Sequence, residues 1–146
     1  SSLLSLVMLR HASYQALIGF DFGLKRIGVA TANTTTRIAT PLTILHAQNG
    51  VPNWTDISLI IDEWSPDLFV IGLPLNMDDS DGRLCSRAKK FARRVSARFN
   101  KRAVMVDERL SSHEATKIRP SGKIDDLAAT FILETWLNAP SSASNP

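Results

Sequence analysis

The chain has 146 residues, 44% of them hydrophobic, enough for one domain with a real core. Its formal net charge is +3, from 17 Lys and Arg against 14 Asp and Glu. No apolar run reaches the roughly 20 residues needed to span a bilayer, and a single cysteine, Cys85, leaves no internal disulfide, which fits a reducing, cytoplasmic setting.

Residues 1–15 are Leu- and Val-rich but lack the basic start and cleavage site of a signal peptide, and read as a non-native or poorly ordered N-terminal extension. Ala16 to Gly23 reads as a first strand, Gly23 to Arg26 as a tight turn, and Ile27 to Ala32 as a second strand. Asn33 to Thr36 is a second turn, and Arg37 to His46 carries a third strand interrupted by Pro41. Trp54, Ile57, Ile60 or Ile61, and Trp64 recur at helical spacing, and Ser65-Pro66-Asp67 ends that helix. Leu68 to Gly72 is a continuous apolar run, as in a central parallel strand. Leu73 to Asp81 is a polar loop in which Ser80 or Asp81 can cap the next helix. That helix buries Leu84, Ala88, Phe91, Val95 and Phe99. Ala103 to Val106 is a strand, Ser111 to Ile118 a short helix, and Asp125 to Leu137 a final helix with Ala128, Ala129, Ile132 and Trp136 on one side. Residues 139–146 have the composition of a disordered tail. The domain is therefore expected over residues 16–138. Its order predicts an α/β fold, a five-stranded mixed sheet with helices on both faces, and matches the ribonuclease H-like fold.

Asp21 interrupts an apolar strand, and leaving water costs an ionised carboxylate several kcal/mol unless a cation or donors compensate. Asp107-Glu108 ends another apolar strand, and Asp125-Asp126 opens the last helix. Asp125 shares the face of Ala128, Ala129, Ile132 and Trp136, which aims it at the sheet, whereas Asp126 points elsewhere. Singly, each acid has a plain structural reading: a satisfied buried aspartate, an ion pair with Arg109, an N-cap. Together, Asp21, Glu108 and Asp125 form the oxygen-ligand set that hard cations such as Mg²⁺ or Mn²⁺ take, the device for phosphodiester hydrolysis.

Charge is unevenly spread. From Arg83 to Arg102 there are nine Lys or Arg residues and no acid, so the rest of the chain is net acidic. A basic amphipathic helix is usually a solvated face. Twenty residues without an acid instead favour phosphate-backbone binding, with Arg87, Lys90 and Arg94 in one stripe. Asp21-Phe22-Gly23 spells a kinase metal motif, but no other kinase signature and no phosphate-binding P-loop accompanies it.

Four segments then carry a resemblance: Gly19 to Ala30, Val70 to Asp78, Asp107 to Ser112, and Lys123 to Ala129 followed by Ile132-Leu133-Glu134. In this order they closely resemble the motifs of the YqgF (RuvX-like) family, over Ala16 to Leu137. The resemblance implies a ribonuclease H-like nuclease, described as a Holliday junction resolvase and associated with processing the 5′ end of pre-16S ribosomal RNA. It implies that Asp21, Glu108 and Asp125 hold the catalytic metal and that Lys25, Asn76 and Arg109 line the site. Two departures stand out: Thr116 to Gly122 is a shorter connection than the family usually has, and Asp126 replaces a common serine. The expected partner is structured nucleic acid, precursor ribosomal RNA before a DNA junction. The rivals are a junction resolvase, a non-catalytic nucleic-acid-binding module of the same fold, and an actin-like ATPase fragment, for which the chain is short. Junction cutting implies a homodimer, and no segment of the sequence marks its interface.

Overall fold

The computed structural model of the chain describes residues 15–73, 83–107, 124–138, 140 and 143–146. In order, the elements are β1 (Ala16–Asp21), β2 (Arg26–Asn33), β3 (Ile38–Gln48), β4 (Val51–Pro52), α1 (Trp54–Trp64), β5 (Leu68–Leu73), α2 (Arg83–Phe99), β6 (Arg102–Asp107) and α3 (Ile124–Asn138). The short helix expected over Ser111 to Ile118, the cap at Ser80 or Asp81, and residues 1–14 lie outside the described residues.

The sheet has six strands, not the expected five, in the order β4-β3-β2-β1-β5-β6. The sixth is β4, and its cause is local. Asn49 and Gly50 take positive φ (55° and 81°), which makes a two-residue I′-type turn and sets Gln48 opposite Val51. The β1–β2–β3 meander is antiparallel, as the sequence predicts. Pro41 does not end β3, because the register shifts there. Thr43 faces Val29 and Pro41 faces Ala30, so Leu42 is an extra residue in a bulge that tolerates the missing N–H.

β1 and β5 pair in parallel, as do β5 and β6. Asp67 sets the first register: its Oδ2 accepts the N–H of Gln15 and of Ala16 (2.9 and 3.0 Å), and its own N–H donates to the Ala16 carbonyl (2.7 Å). Just before it, α1 runs from an Asn53 cap, whose side chain accepts from Thr55 N–H at 2.9 Å, to Ser65 in the left-handed region.

The sheet divides the core. Ile18, Phe20, Phe69, Ile71 and Met105 pack toward α1 and α2, against Ile57, Phe91 and Val95. Leu17, Leu68, Val70, Val104 and Val106 pack toward α3, against Ala129, Ile132, Leu133 and Trp136. This period-two split explains why the central strands read as unbroken apolar runs. Helices therefore cover both faces, as expected.

The composition of residues 139–146 suggests disorder, yet Ser144 and Met105 exchange two backbone hydrogen bonds (2.7 and 2.8 Å) and Ala143 packs on the α3-side core. As the last strand of the sheet, β6 leaves backbone groups open on its outer edge, and a polar segment can pair there as readily as any other.

Candidate active site

Because β1, β5 and β6 are parallel, their C-terminal ends meet one edge of the sheet, where Asp21, Leu73 and Asp107 are the last residues. That edge is where open α/β sheets bind ligands. Asp21 is half-buried there, and its neighbour across the β1–β2 ladder is Gly28.

The pleat decides which way Asp21 faces. Leu17 belongs to the α3-side core, Ile18 and Phe20 to the opposite one. Gly19 lies under α3: a Cβ there would stand 2.6 Å from Leu133 Cγ and 3.1 Å from the Ala129 carbonyl oxygen. Alternation then puts Asp21 on the α3 face and Phe22 on the α2 face.

α3 runs antiparallel to β1. Its C-terminal end is held by Arg37, whose Nη2 donates to the Leu137 carbonyl (3.2 Å) and to Asn138 Oδ1 (3.3 Å). Arg37 follows Asn33, the partner of Ala16 at the start of β1. The opening of α3 therefore lies toward Asp21. Asp125 is one turn before Ala129, about 6 Å along the axis, and Asp21 is two residues past Gly19, about 7 Å along the strand. The two backbone positions come out level at the same edge, on the same side of the sheet. Asp126 is a neighbouring position about 100° further round the helix. Asp107 ends β6 at this edge, and Glu108, Asn76 and Arg109 lie outside the described residues.

The described part of the site suits a hard cation. Its donor is a carboxylate oxygen, half open to solvent beside a glycine, and a second acidic position opens the helix above it. Lys25 is exposed in the β1–β2 loop at the same edge. That loop is braced by the next hairpin, since Ala47 N–H donates to the Lys25 carbonyl (2.8 Å) and Gly50 N–H to that of Leu24 (2.9 Å).

The basic helix lies elsewhere. Arg87, Lys90 and Arg94 are exposed on α2, on the face of the sheet opposite α3 and Asp21. The sequence shows that α2 is basic. It does not show that its stripe and the carboxylate have the sheet between them. Reading along the chain also misses the Asn49-Gly50 turn that reaches Arg87, although Asn-Gly is a strong hairpin signal.

The model of the RuvX family, described as Holliday junction resolvase, matches residues 15–139. A protein of Hahella chejuensis named "Putative pre-16S rRNA nuclease" is 45% identical over 132 residues, covering 84% of each chain. One of the same name from Shewanella denitrificans is 44% identical, over 84% of this chain and 93% of its own. Among solved structures, T. thermophilus RuvC in complex with a Holliday junction substrate superposes with a TM-score of 0.55 at 11% identity, over 90% of this chain and 99% of its own. The yeast mitochondrial Holliday junction resolvase Ydc2 gives 0.52 at 10% identity, over 94% and 85%. At these identities the structures establish the shared resolvase-type fold, and a family match across nearly the whole domain settles the kinship: this chain belongs to the RuvX family.

Proposed function

We propose that the protein is a divalent-metal-dependent endonuclease that hydrolyses phosphodiester bonds in structured precursor ribosomal RNA, at the 5′ end of pre-16S rRNA, in the cytoplasm. The observation that carries this reading is the half-buried Asp21 at the parallel strand ends, level with the acidic opening of α3. The family match and the names of the relatives supply the substrate class.

Asp21, Glu108 and Asp125 would hold Mg²⁺ or Mn²⁺. When bound, such ions activate water and stabilise the leaving oxygen of an in-line displacement. The chain's own residues do the rest. Asp21 would be held in position by its ladder pairing with Gly28 at the end of β1. Lys25 would offer positive charge to the phosphate at the edge, and the family resemblance adds Asn76 and Arg109 to the same role. The products would carry a 5′-phosphate and a 3′-hydroxyl. Among the described residues no helix is long and apolar enough to cross a membrane.

The test is cleavage of end-labelled pre-16S RNA and of a four-way DNA junction, side by side, with Mg²⁺, Mn²⁺ or EDTA. Asp21→Asn should lose metal-dependent cutting by at least about a hundredfold, the scale of a lost charge-stabilising group, while RNA binding persists. Normal cutting by Asp21→Asn would refute the mechanism. Cutting of the junction alone would transfer the activity to DNA, and binding without any cutting would make the protein a non-catalytic module.

A further inference from the structure

On the α2 face of the same edge lies a cavity of about 290 Å³, lined by Phe22, Gly50, Trp54, Arg87, Lys90 and Arg94 among others. Its construction is specific. Gly50 closes over Phe22, and a Cβ at Gly50 would stand 2.6 Å from Phe22 Cζ. Arg87 Nη1 donates to the Asn49 carbonyl at 3.1 Å, which holds a guanidinium at the rim. Arg87, Lys90 and Arg94 follow at helical spacing, so three cations converge on one wall. No acidic residue lines the cavity, and α2 contains none. The floor is apolar: Phe22 and Phe91 are buried, and Trp54 is stacked on Phe91 and covered by Arg98. What the cavity can take is an anion, and the cations repel one another until it comes.

We infer that this cavity binds the phosphodiester backbone of the substrate strand beside the cut, on the face of the sheet opposite Asp21. The strand then passes over the C-terminal edge of the sheet, across the β1–β2 loop and the exposed Lys25. Consecutive residues Asp21 and Phe22 serve opposite faces, so a strand that touches both sites rounds the sheet at this edge. The inference rests on the nuclease reading for the identity of the strand. Backbone contacts of this kind set position without reading sequence.

The test compares two variants of equal charge on one helix. Lys90→Gln/Arg94→Gln removes two of the three cations on the cavity wall, and Lys89→Gln/Arg93→Gln removes two exposed charges that do not line it. Binding of a labelled single-stranded segment of the precursor RNA is followed in EDTA across a salt series. The cavity pair should flatten the slope of log affinity against log salt by about 1.4, two phosphate contacts on a single strand, and the other pair by less than half as much. In cleavage, KM should rise with kcat unchanged for the cavity pair. Trimming the substrate close to the cut should erase the difference from wild type. Equal slopes for the two pairs would overturn the inference, as would inorganic phosphate competing as well as RNA at equal phosphate concentration. If wild type cuts RNA and the cavity pair behaves like its control, the nuclease reading stands and the cavity falls. If wild type cuts nothing yet the slopes differ as expected, the cavity stands without the nuclease.

Discussion

Gly19 decides how near α3 can come to the strand that carries Asp21. Any side chain there meets the buried Leu133 side chain and the Ala129 carbonyl, and the carbonyl cannot retreat without moving the helix. Gly19→Ala should cost about 1–3 kcal/mol, the range for overpacking a tight core, measured by urea unfolding. Because α3 opens with Asp125, it should also depress cleavage more than the same loss of stability elsewhere. Asp21 itself is legible in the sequence, since a carboxylate in an apolar strand has few physical excuses. The backbone position of Asp125 is half legible. Periodicity predicts the helix, but only the Gly19–Ala129 contact gives the height of that helix along the strand. Asp67 escapes notice altogether, because an aspartate after Ser-Pro looks like a helix stop and shows nothing of the two N–H groups it accepts.

At the scale of elements, Phe91 is the aromatic centre of the packing of α2. Phe91 meets Phe20 edge-on at 5.2 Å between centroids and stacks on Trp54 at an interplanar angle of 14°. Phe91→Ala should destabilise the fold by about 3–5 kcal/mol, seen as a lowered urea midpoint. The β3–β4 turn is the second fixture. Gly50→Ala places a Cβ at φ +81° and against Phe22, and should cost about 1–3 kcal/mol for the backbone strain alone. Its melting temperature should therefore fall, whereas Asn49→Gly, which suits the same turn, should leave it near wild type. The helices and long strands are legible because burial imposes their periods. The two-residue β4 is not, because so short a strand has no period and only its turn announces it.

At the scale of the whole molecule, the sheet is a partition, with Asp21 toward one face and the basic stripe of α2 on the other. A linear sequence states both charges but not the partition, which arises only when pleat, crossover and helix packing are combined. The same long-range character has a kinetic side. The meander pairs neighbours in the chain, whereas Leu17 must find Leu68 and Gly19 must find Leu133. Contacts between distant residues pay loop-closure entropy before they return anything, and form late. Asp21 is therefore made early as part of a hairpin but given its neighbours last. On dilution from urea, far-ultraviolet circular dichroism should recover ahead of cleavage, with an interval in which the chain is largely folded and cannot yet cut.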